Sequence, residues 1–260
     1  MPFTAKLLNL PPWVFFFLIN LSLICLSLTL LYLVRRFLPN HERRIHNDVV
    51  SGIFNRAGAM YAVMLAFTVV LLWQQYHKIA DNALKEGNAA SSLYRDLILY
   101  PDKSQTEMAV ISHLNFIHSV VKEEYPAMME MKSSMETQHL MEDLWTKIVR
   151  IQPGNQQEQA LYNKMLRDFE TLSELRNLRL IDMDSSLPNV LWLSIISGTI
   201  VTIFFSVFLG AERLWIHAVA TSILAIIIAT NIFLIIELDY PFIGELSVRP
   251  VTYIKILELK

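Results

Sequence analysis

From Ala57 to Tyr76 the chain runs 20 residues without a charge, then turns polar without a proline to interrupt it. That length crosses a bilayer core as a helix. Beyond it the helical pattern continues through Ile79, Ala83, Glu86, Ala90, Leu93 and Tyr94. One helix over about residues 55 to 95 therefore leaves the membrane and runs on into water, at about 1.5 Å per residue. A soluble region joined in this way is mechanically coupled to the membrane part.

Three more uncharged runs have spanning length: Trp13 to Val34, Ser185 to Ala211 and Leu214 to Ile236. The spans are placed at about 13–34, 57–76, 187–210 and 214–236. The composition agrees, at 53% apolar and 18% charged residues, which is that of a membrane protein. The net charge of −2 gives no reason to expect nucleic acid as a partner. The single cysteine, Cys25, excludes an intramolecular disulfide. The N-terminal apolar run is too long for a signal peptide and its arginines follow it, so it is expected to be retained.

Residues 77 to 184 read as helices, with no strand and hairpin pattern. One is expected over about 104–124, capped by Ser104 with Glu107 and ended by Pro126. Others are expected at about 136–150 and 155–182, separated by Pro153 and Gly154. The fold class is all-α: a four-helix transmembrane protein with a helical extramembrane bundle inserted between spans two and three. The segments are a first span pair in 1–76, the bundle in 77–184, a second span pair with its following turn in 185–245, and a tail in 246–260. Arginines 35, 36, 43, 44 and 56 favour a cytoplasmic linker between the first two spans. Lys6, Lys78, Lys85, Arg176, Arg179, Arg249 and Lys255 lie near span ends on the other side and oppose that orientation.

The second span has two distinct faces. Gly58, Ala62 and Ala66 form a small-residue stripe suited to close helix packing. Asn55, Ala59, Val63, Phe67, Val70 and Gln74 form a second stripe, polar at both ends and apolar between, as a pore-lining helix with a hydrophobic neck would be. Phe67 and Val63 would be narrowest, and Arg56, repeated by symmetry, would ring one mouth and concentrate anions. From the stripe alone, an ordinary buried helix with polar residues at the membrane edges is the reading to prefer.

Catalytic and metal chemistry find little support. There is no phosphate loop, HExxH pattern or nucleophile elbow. His113 and His118 are five apart and do not share a helix face. His41 and His46 lie in the basic linker without catalytic spacing. Met128, Met129, Met131 and Met135 suggest a helix or loop face more than copper ligation. Glu123 and Glu124 are adjacent and make a poor acid/base pair. His217, in span four, is a functional candidate because it is ionisable. Glu237 and Asp239 end that span and are expected to be solvated or paired, with Arg176 and Arg179 as possible partners. No enzyme, cofactor or metal is expected.

Across nearly its whole length the chain resembles the bacterial bestrophin-like family. The matching residues are Asn55, Leu65 to Phe67, Trp73, Tyr76, Glu86, Leu93, Tyr94 and Glu123 to Tyr125. They continue with Leu144, Trp145, Tyr162, Arg176, Arg179, Leu180, Pro188 to Trp192, His217, Asp239 to Phe242 and Gly244. More distantly, Met64 to Phe67, Trp73 to Tyr76 and Pro241 to Glu245 are similar to segments of bestrophin anion channels. The acidic calcium-binding run that follows in those channels is replaced here by Leu246, Ser247 and Val248. The resemblance implies a homopentamer in a bacterial inner membrane, a central pore lined by span two, small anions as the permeating species, and a cytoplasmic bundle. The rival reading is a non-conducting sensor or scaffold that couples its bundle to the bilayer.

Overall fold

The computed structural model describes Leu8 and residues 10–38, 47–184 and 186–258. Lys6, His41, Arg43, Arg44, His46 and Ser185 lie outside the described residues. Those described are helical apart from short connections, with no strand among them. The helices are α1 (Pro12–Phe37), α2 (Asn47–Leu99), α3 (Lys103–Ser119), α4 (Tyr125–Met129), α5 (Met135–Val149), α6 (Gln156–Met183), α7 (Asn189–Phe208), α8 (Leu214–Asp239) and α9 (Val251–Glu258). Four of them, α1, α2, α7 and α8, are long and apolar enough to cross a membrane.

Two compact units emerge: Pro2–Gln75 with Ser186–Tyr240, and Tyr76–Ser185 with Pro241–Lys260. In the first, α1 packs against α8 through Phe15 and Phe16, whose rings lie 5.5 and 5.4 Å from that of Phe233. Tyr61 on α2 lies against Gly198 on α7 so closely that a Cβ at 198 would fall 2.3 Å from the ring. The Tyr61 hydroxyl bonds to Thr199 Oγ1 at 2.6 Å, closing a polar contact inside an apolar layer. Arg35 and Asn47 tie down the α7–α8 turn. Arg35 Nη2 donates to the Ala211 carbonyl at 2.7 Å, and the Gly210 N–H donates to Asn47 Oδ1 at 3.0 Å.

The second unit is a helical bundle around Leu93, Leu97, Phe116, Leu144, Met165 and Leu172. Its helix starts are chemically marked. Ser134 accepts from the Thr137 N–H, and Asn155 accepts from the Glu158 N–H, as N-caps do. The cap of α3 is Asp102 rather than Ser104, because the helix begins earlier; its carboxylate accepts from the Ser104 N–H and hydroxyl. Nor does Pro126 end the helical run. The turn before it widens into a π segment, Val120–Glu124, and Pro126 then sits in the first turn of α4. A wider turn relieves the clash between a proline ring and the preceding turn's carbonyl, and the first turn of a helix tolerates its missing N–H. The tail after residue 245 holds α9, whose Tyr253 and Ile256 complete the core together with Phe242.

Candidate functional site

Within its membrane unit, α2 buries one side and leaves the other open. Tyr61, Leu65, Thr68 and Leu72 are buried, spaced four, three and four residues apart as one helix face requires. At 3.6 residues per turn, the stripe Asn55, Ala59, Val63, Phe67, Val70 and Gln74 falls on the opposite side. All six are exposed, and Phe67 is 66% accessible, which no core side chain of the chain's own unit would be. Arg56 is exposed beside Asn55. The small stripe flanks this open face: Ala62 and Ala66 are exposed, and nothing lies within 4 Å of a Cβ built at Gly58. Gly58, Ala59 and Ala62 line a cleft of about 320 Å³ with Asn55, Thr202 and Asn231.

The bundle hides a cluster of four charges. Arg176 and Arg179 share one face of α6 by their three-residue spacing. Arg179 grips Glu86 of α2 in a fork, Nε to Oε2 at 2.7 Å and Nη2 to Oε1 at 2.9 Å. It also donates from Nη2 to Glu124 Oε2 at 2.6 Å. Arg176 donates to Glu124 from Nε, at 3.1 Å to Oε1, and to Gln138 Oε1 from Nη1 at 2.7 Å. Tyr253 of α9 donates its hydroxyl to Glu86 at 2.7 Å. The Arg179 guanidinium lies 4.7 Å from the centre of the Tyr125 ring. All four charged side chains are fully buried, and the two positive charges balance the two negative ones.

This arrangement displaces the protonation equilibria. Burial opposes the charge on Arg179, but Glu86 and Glu124 outweigh it and hold the guanidinium well above its usual pKa. Burial, reinforced by Glu86, pushes the Tyr253 phenol well above its usual range, and burial does the same at Tyr125. The sequence offered Arg176 and Arg179 as possible partners of Glu237 and Asp239; the two arginines instead pair with Glu86 and Glu124. Asp239 is buried and not solvated; its Oδ1 accepts the Leu187 N–H at 2.6 Å. Glu237 is buried as well.

The remaining candidates scatter. Glu124 enters the cluster while Glu123 points outward and accepts from the Ser119 hydroxyl at 3.1 Å. His113 is buried with Nε2 2.9 Å from the Ala90 carbonyl, and His118 is exposed. His217 is buried in α8 with Nε2 2.9 Å from the Ser206 carbonyl. Met128 is buried beside Arg179, whereas Met129 and Met135 are exposed. Among the described residues no group of three or more His, Cys, Asp or Glu is placed to hold a metal ion.

Sequence reasoning did not pair the arginines with Glu86 and Glu124, nor Tyr253 with Glu86. Glu86 does interrupt the apolar face of α2, which was the available signal; Tyr253, in a tail of no clear pattern, gave none.

A family model described as the bestrophin-like domain matches residues 21–253. The fold is similar to crystal structures of variants of a bacterial bestrophin homologue from Klebsiella pneumoniae. One has a TM-score of 0.66 at 14% identity and covers 94% of this chain and 98% of its own. A second has a TM-score of 0.65 at 14% identity, with coverages of 92% and 96%. A structure described as a membrane protein gives 0.65 at 12% identity, with coverages of 92% and 96%. No curated protein matches the chain.

Proposed function

The chain belongs to the bestrophin-like family, and on that premise we propose that it forms an ion channel, with the open face of α2 lining the pathway. The observation that carries this reading is the placement of Asn55, Ala59, Val63, Phe67, Val70 and Gln74 opposite the buried face of a spanning helix. A single copy buries only 22% of the apolar windows of α1 and α2. Further copies around a symmetry axis would cover the flank at Gly58, Ala62 and Ala66 and turn the stripe toward the centre. We take the assembly to be a homopentamer in the bacterial inner membrane, as the family resemblance implies. An apolar neck opposes the passage of charge. Rings of Val63 and Phe67 gate by dewetting and conduct only when widened or wetted.

Anions are the preferred species in this reading. The stripe carries no fixed charge, while Arg56 lies exposed at one end of it. A ring of guanidiniums raises the local anion concentration at the mouth, an effect that weakens with salt. The test is the reversal potential of the full chain in planar bilayers under a potassium chloride gradient. The wild type is expected to sit toward the chloride potential, and Arg56→Glu is expected to move it toward potassium. A wild type resting at the potassium potential overturns the anion assignment. The sensor or scaffold reading predicts no current from either protein.

A further inference from the structure

A groove of about 510 Å³ runs between α1 and α8, walled by Leu28, Leu31, Tyr32, Leu214 and Ala218. Arg35 and Arg36, in the last turn of α1, also line it. Its floor is firm: Leu31 is buried against Val207, with Leu28 and Ala218 packed alongside. Among the described residues its charge meets no carboxylate. Arg35 donates from Nη2 to the Ala211 carbonyl, and its Nε is buried without a hydrogen-bond partner. Arg36 is exposed, and neither arginine has a carboxylate partner among the described residues. Glu212, in the α7–α8 turn, is exposed and does not line the groove.

We propose that this groove binds one anionic phospholipid of the bilayer, with its phosphate on Arg35 and Arg36 and an acyl chain along Leu28, Leu31 and Ala218. Two guanidiniums at the end of a spanning helix, above an apolar trough, match a molecule with an anionic head and a hydrocarbon tail. The planar guanidinium fork suits phosphate oxygens, and basic pockets between spanning helices are suited to anionic headgroups. Tyr32, exposed in the same groove, is an aromatic of the kind that sits at headgroup level. A zwitterionic lipid brings its own cation, so it leaves the arginines less well compensated. The inference rests on α1 and α8 spanning the membrane and not on conduction.

The test is lipid retention by the purified full chain, measured by native mass spectrometry after exposure to equal amounts of phosphatidylglycerol and phosphatidylcholine. Phosphatidylglycerol is expected to be retained preferentially, with about a fivefold loss for each of Arg35→Gln and Arg36→Gln. Arg36 is exposed and holds no other residue, so its variant keeps the test open if Arg35→Gln disturbs the turn. Ala218→Phe, which narrows the trough with both arginines intact, is expected to lower retention too. Equal retention of the two lipids overturns the proposal, as does an unchanged preference in Arg36→Gln. Full displacement of the lipid by inorganic phosphate at matched concentration also overturns it, because the arginines would then be a free-anion site.

Discussion

Arg179 links three segments of the bundle through buried contacts. It joins Glu86, Glu124 and the ring of Tyr125, which lie on α2, the π segment and α4. Removing one partner of a buried ion pair strands the opposite charge, at a cost of about 3–5 kcal/mol. Arg179→Met is therefore expected to destabilise the bundle by that order, measured by denaturant unfolding of the purified chain. Adding Glu86→Gln is expected to recover part of the loss, since the stranded carboxylate goes with it. Equal loss in the single and double variants would mean that packing, not charge, sets the cost. Little of this network was legible in the sequence. The helix face shared by Arg176 and Arg179 follows from spacing, but their partners lie 93 and 52 residues away and depend on tertiary packing. The acids at the end of α8, at a similar sequence distance to Glu124, are equally eligible from sequence alone. Asp239 instead serves its own unit, where it holds the start of α7.

At the scale of elements, α2 was the most readable because its signal is long. Unbroken periodicity through a change of polarity means one helix, and the structure gives 53 residues from Asn47 to Leu99. The bundle helices were readable for the same reason. Their ends were not, since a cap two residues early or a widened turn before Pro126 depends on local geometry that periodicity does not report. The tail helix α9 is only 8 residues long, too short to show a periodic pattern. The contact of α3 with α2 offers a pH test. Burial, partly offset by the Ala90 carbonyl, lowers the His113 pKa from 6.5 to about 4. A depressed folded-state pKa means that the unfolded chain binds the proton first as pH falls. The stabilisation is thus complete above about pH 6.5 and is lost as pH drops toward 4, by about 3 kcal/mol in all. Unfolding midpoints from pH 7 to 4.5 are expected to fall faster in the wild type than in His113→Phe. Parallel curves would place the acid sensitivity elsewhere.

For the whole molecule, the open face of α2 calls for company. Its exposed Val63, Phe67 and Val70 face away from the chain's own buried contacts, and the spans as a set leave most of their apolar surface uncovered. The small stripe and the pore stripe were both legible in sequence as faces, because helical spacing alone defines them. What each face meets was not legible, because that is a property of several chains together. The most direct measurement is halide flux through proteoliposomes of the wild type, Phe67→Ala and Val63→Ala, with assembly checked by light scattering of each. With Phe67 at the neck, Phe67→Ala is expected to raise flux or loosen its gating at unchanged assembly, and Val63→Ala to do so more weakly. Unchanged flux from both variants, in proteins that still assemble, would contradict the account and take α2 out of the pore.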